Sequence, residues 1–86
     1  KHIYGQCRVT QSQSYARARR LGDTHENMPG NPPAVREMDL RNNAIGRSIG
    51  MDQAKDCESE TRRAIDSGQA WIAPGGTDLQ HSPAKP

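Results

Sequence analysis

Pro33-Ala34-Val35-Arg36-Glu37-Met38-Asp39-Leu40-Arg41-Asn42-Asn43-Ala44-Ile45-Gly46-Arg47-Ser48-Ile49 carries the clearest periodicity in the chain. Val35, Met38, Asn42, Ile45 and Ile49 recur at alternating steps of three and four residues, the spacing of one face of an α-helix. Pro32 or Pro33 suits the first helical turn, where a missing N–H costs nothing, and Gly50 supplies a stop. Upstream, Met28-Pro29-Gly30-Asn31-Pro32-Pro33 reads as a loop, because Pro-Gly and Asn-Pro favour turns and paired prolines cannot continue a helix. Before that loop a helix is expected from a Ser12 or Ser14 cap to about Asn27, with Tyr15, Ala18, Leu21 and His25 inward. An earlier helix over residues 1 to about 11 places Ile3, Cys7 and Thr10 on one side. Downstream, Asp52 is expected to cap a helix running to about Asp66, with Ala54, Cys57, Thr61, Ala64 and Ile65 inward and Ser67-Gly68 ending it. Gln69–Ala73 reads as a short extended segment, with Trp71 packing over the helices. The fold class is therefore all-α, a small bundle of three to four helices with a short extended C-terminal segment and a polar tail.

The 86 residues suit one domain, taken as 1–76, followed by a flexible tail over 77–86. The chain opens already helix-like at Lys1-His2-Ile3-Tyr4 without a capping residue, so it is expected to continue a longer protein. Only 31% of residues are hydrophobic and Phe is absent, so apolar burial barely offsets ordering entropy and a further staple is expected. Cys7 and Cys57 offer one. In an oxidising compartment they can close a disulfide, and in a reducing one they stay two half-buried thiols. Twelve basic against ten acidic residues leave a formal charge of +2, too balanced to imply a nucleic-acid or membrane partner. No apolar run is long enough to span a membrane.

One polar constellation stands out. Asn42 interrupts the apolar stripe of the long helix, and Asp39, Asn43 and Gly46 form a second stripe beside it. Buried amides and carboxylates must find partners. His25 and Glu26 end the preceding helix, and His2 begins the chain. In a hydrolase reading His25 is general base, Asp39 orients its ring and His2 is a second acid or base, with Glu26 and Asn43 completing the catalytic candidates. The same His2, His25, Glu26 and Asp39 can instead hold a divalent metal. Asn42, Gly46 and Arg47 are candidate binding residues. Against these readings, Glu26 near a helix end is ordinarily solvated, and Asp39 and Asn43 can act as a purely structural lock between helices. No motif names a cofactor or a metal: His25-Glu26 lacks a second His four residues on, where Pro29 stands. Arg17, Arg19, Arg20, Arg36, Arg41, Arg47, Arg62 and Arg63 make nucleic-acid binding a third reading. Interleaved acids and the scarcity of aromatics speak against it.

Lys1-His2, Cys7, Leu21-Gly22-Asp23-Thr24-His25-Glu26, Asn31-Pro32 and Met38-Asp39-Leu40-Arg41-Asn42-Asn43-Ala44-Ile45-Gly46-Arg47 together resemble an uncharacterised family of small helical domains. These occur at the C-terminal tips of large secreted bacterial proteins of the polymorphic-toxin kind, and also alone. The family pattern joins an Asp-x-x-(Arg/Lys)-His helix, a His-Glu pair and a Met-Asp-Leu-x-x-Asn-x-x-Gly-Arg helix. The match covers about residues 1–50, and the Asp of the first motif would precede residue 1. The resemblance implies a secreted or periplasmic setting, an antibacterial role and a protein partner, either an immunity protein or the rest of the parent chain. It implies no particular reaction.

Overall fold

A computed structural model describes residues 1–26 and 30–86. The expected helix end at Asn27 and the Met28-Pro29 part of the loop lie outside them. Four helices form the body: α1 (His2–Ser12), α2 (Tyr15–Glu26), α3 (Pro33–Gly50) and α4 (Cys57–Asp66). A hairpin of two short antiparallel strands follows, β1 (Trp71–Ile72) and β2 (Gln80–His81), with Trp71 opposite His81. Part of the stretch expected as a polar tail is thus built into the fold. Ser82 beyond β2 is buried, its N–H donating to the Ala70 carbonyl and its hydroxyl to that of Ile65.

The helix ends follow local chemistry. Pro33 opens α3, so the position that lacks a donor falls where none is needed. The cap of α4 is Asp56, not the expected Asp52: Asp56 Oδ2 accepts from the Ser59 N–H at 2.9 Å. That bond holds the Asp56 carboxyl below its ordinary pKa. Asp52 instead closes a local turn by accepting from the Ala54 N–H, which is why residues 52–55 do not join the helix and Ala54 stays exposed. At its other end α4 stops at Gly68, whose φ of +80° only glycine adopts readily. The Gln69 and Gly68 N–H groups reach back to the Ala64 and Ile65 carbonyls, closing a Schellman motif.

Packing corrects two of the expected faces. On α3 the buried residues are Asp39, Asn43, Gly46, Arg47 and Gly50, while Val35, Met38, Asn42, Ile45 and Ile49 are only half-buried. The cause is the close approach of α1. A Cβ on Gly46 would collide with the Ile3 carbonyl, and one on Gly50 would lie 2.6 Å from the Cys7 carbonyl. Two glycines four residues apart let the backbones nearly touch, and the helix turns that face inward. Ile45 and Ile49 then pack beside a small apolar cluster of Ile3, Ala64 and Ala70. On α2 Ala18 is buried as expected, but beyond it the buried residues are Gly22 and Glu26, each one residue past the expected Leu21 and His25, which with Tyr15 face outward. A disulfide between Cys7 and Cys57 joins α1 to α4. Among the described residues no helix is long and apolar enough to cross a membrane.

Candidate functional site

His2 lies in the first turn of α1 against the α3 face that carries Asp39 and Asn43. These two are four residues apart, so their side chains stack one turn above the other. His2 Nδ1 is 2.9 Å from Asn43 Oδ1, and His2 Nε2 is 3.4 Å from Asp39 Oδ1. An amide oxygen only accepts, so Nδ1 carries a proton and donates it to Asn43. The ring is thereby held with Nε2 turned toward the carboxylates. Asp39 was expected to orient His25, and it is His2 that it touches.

Glu26 and His25 come from the last turn of α2. Glu26, expected in solvent, is 1% exposed. The one-residue shift in the α2 face turns it inward and His25 outward. Glu26 Oε2 accepts from Asn31 Nδ2 at 3.1 Å, while Oε1 is buried and finds no hydrogen-bond partner among the described residues. The nearest base is His25, its Nε2 3.8 Å from that oxygen and its ring centroid 5.8 Å from that of His2. Burial pushes the Glu26 pKa up, and the neighbouring Asp39 carboxyl pushes the same way, by its charge and because the two can hydrogen-bond only when one of them is protonated. The charges of His2 and His25 only partly oppose them. Two carboxyl groups and two imidazoles from three helices therefore meet in one place.

Sequence reasoning passed over Gly22 and Gln6. A Cβ on Gly22 would lie 2.8 Å from Asn43 Nδ2 and 3.2 Å from Gln6 Nε2, so the glycine makes the room in which Asn43 holds His2. The signal was present in the spacing, since Ala18, Gly22 and Glu26 recur every four residues on one side of α2.

The three candidate binding residues serve the fold. Asn42 Nδ2 donates to the Trp71 carbonyl and Asn42 Oδ1 accepts from the Trp71 N–H, both at 2.9 Å, which fixes β1 to α3. Gly46 admits α1, leaving no space there for a ligand. Arg47 is buried, donates to Gln6 Oε1 at 3.0 Å and lies over the Tyr15 ring. The Trp71 ring contacts both the Arg41 guanidinium and the tilted His81 ring. Of the candidate arginines, Arg19, Arg41, Arg62 and Arg63 each pair with an acid one helical turn away.

The cluster opens to solvent on two sides. A groove of about 340 Å³ is lined by His2, Gly5, Val9, Leu21, Gly22 and His25. A second, of about 260 Å³, runs past His2 and Asp39 toward Met38 and Trp71. Residues 1–69 match the family described as "Domain of unknown function (DUF6973)". The chain belongs to this family. The DUF6973 match takes in all four helices, the disulfide and every residue of the cluster, and it stops short of the hairpin. No curated protein and no solved structure matches the chain.

Proposed function

We propose that this DUF6973 domain is a secreted or periplasmic bacterial effector-like domain that hydrolyses its target at the His2–His25–Glu26–Asp39 cluster, with Asn43 positioning His2. One observation carries the reading: a buried carboxyl oxygen, Glu26 Oε1, receives no hydrogen-bond donor among the described residues and lies 3.8 Å from His25, which with His2 lines a solvent-open groove. Buried polar groups are paired unless something other than stability requires them, and perturbed acids in a cleft are where proton-transfer chemistry is found. In the reaction, the cluster takes a proton from water, whose oxygen bonds to the electrophilic carbon or phosphorus of the target. The leaving group departs with its electron pair and receives that proton. The Cys7–Cys57 disulfide supports an oxidising compartment. A partner protein, either an immunity protein or the remainder of the parent chain, fits the same setting.

A structural lock is the second reading, favoured by the Glu26–Asn31 hydrogen bond, which ties the end of α2 to the approach to α3. The two readings part in a single experiment. The domain is exported to the bacterial periplasm behind a signal sequence, and purified domain is incubated with isolated cell envelopes. Catalysis predicts growth arrest and many fragments released per protein molecule, both lost in His2→Ala and Asp39→Asn variants that accumulate to wild-type levels. A harmless wild-type domain that releases nothing, or variants as active as wild type, would remove the hydrolase reading.

A further inference from the structure

We propose that His2, His25 and Glu26 form a site for one divalent transition-metal ion of the zinc type. This deepens the hydrolytic reading above, and the ion's catalytic meaning rests on that reading. Each of the three residues offers one donor atom, and these atoms lie within 4.8 Å of one another. Donors around a tetrahedral ion bound at about 2.1 Å stand about 3.4 Å apart, so the set must contract by up to about 1.4 Å. The side chain able to move is His25, which is 64% exposed, while His2 and Glu26 are held in place.

Two independent features point to a ligand. The first is Glu26 Oε1: its side chain is fully buried, and it faces His25 across 3.8 Å with no donor supplied to it by any described group. The second is the His2–Asn43 bond. A metal-binding histidine ordinarily gives its other ring N–H to a fixed acceptor, which sets the tautomer and aims the free lone pair at the ion. Asn43 Oδ1 is that acceptor at 2.9 Å, and Gly22 provides its space. Two imidazole nitrogens and one carboxylate oxygen are a donor set used by hydrolytic zinc, with a fourth position open to water. Water would reach such a position through the groove that His2 and His25 line together with Leu21 and Gly22. Asp39, 3.4 Å from His2 Nε2, is the carboxylate left to take a proton from that water.

The test uses the untagged chain, stripped with EDTA and titrated with zinc sulfate by calorimetry, with cobalt(II) as spectroscopic probe. One ion per chain is expected, with visible cobalt absorption of a low-coordinate N/O site and a Tm increase on the order of 5 °C at saturation. Asn43→Ala should weaken binding roughly 10–100-fold, and Glu26→Gln and His25→Ala should weaken it at least as much. His25 is exposed, so its variant folds and serves as the decisive one. Zinc binding absent in wild type, or undiminished in both His25→Ala and Glu26→Gln, would overturn the proposal. Binding without envelope hydrolysis by the loaded domain would keep the metal site and remove the hydrolase reading. Hydrolysis by metal-free protein in EDTA would keep the hydrolase reading and overturn the ion's catalytic role.

Discussion

Reduction of the Cys7–Cys57 bond should cost this domain about 4 kcal/mol. The bond spans 50 residues and ties α1 to α4, so in the reduced unfolded chain all of that loop is released. In the chain-entropy treatment the loss is 2.1 + 1.5R ln n, which for n near 50 is about 14 cal/mol/K, or about 4 kcal/mol at ~25 °C. A chain of this size has a total stability of roughly 4–13 kcal/mol. This one sits toward the low end, because its fully buried apolar residues among those described are Ile3, Cys7, Ala18, Cys57, Ala64 and Ala70, and half of these are alanine. The reduced domain should therefore be close to unfolding without denaturant. Urea unfolding followed by far-UV circular dichroism and Trp71 fluorescence, with and without a phosphine reductant, measures the difference directly. With a slope of about 1 kcal/mol/M, the midpoint should fall by about 4 M or disappear. A reduced chain within about 1 kcal/mol of the oxidised one would refute the reasoning. It would also remove the physical ground for placing the domain in an oxidising compartment.

Four further outcomes follow from the packing. Gly46→Ala puts a methyl group into the Ile3 carbonyl and within 2.8 Å of Gln6 Cβ, so α1 must move away at about 1–3 kcal/mol. Gly5→Ala meets nothing within 4 Å and should gain about 0.5–1 kcal/mol; thermal melts that reverse this order would contradict the helix contact. Asn42→Ala frees both backbone groups of Trp71 and should lower stability by about 1–3 kcal/mol with a red shift of tryptophan emission, whereas unchanged emission would argue against the anchor. For Glu26 the folded state raises the pKa, so its contribution is fully present below the ordinary value of 4.5 and is lost as pH climbs through the raised one. In EDTA, wild-type stability relative to Glu26→Gln should therefore fall from pH ~4 to pH ~7.5; a flat difference would contradict the burial of that acid.

The α3 helix, its proline start, the turn at Gly68 and the extended segment at Trp71 were all readable, because each depends on local residue chemistry. What misled was the assumption that apolar residues mark the inside. In α3 the innermost positions are glycines and polar residues, since α1 lies so close at Gly46 and Gly50 that only a bare backbone fits. The half-buried Val35, Met38, Ile45 and Ile49 flank that seam. In α2 the same assumption put Leu21 and His25 inside and Glu26 outside; Ala18 was placed correctly, but the next small residue that admits a neighbour is Gly22. That Asp39 and Asn43 would meet a histidine was expected from polar residues placed where a stripe should be oily, but the histidine expected there was His25 and the one that meets them is His2. Which histidine meets which carboxylate is set by helix rotation.

The most direct test of whether the cluster is a working site is the unfolding free energy of metal-free Glu26→Leu near neutral pH. A residue held against the interest of the fold should be dispensable to it, and removing a buried carboxylate whose Oε1 receives no donor among the described residues relieves its desolvation cost. We predict a variant at least as stable as wild type and devoid of activity. A loss of about 2 kcal/mol or more, as when one member of a satisfied network is removed, would contradict the account and assign the cluster to structure alone.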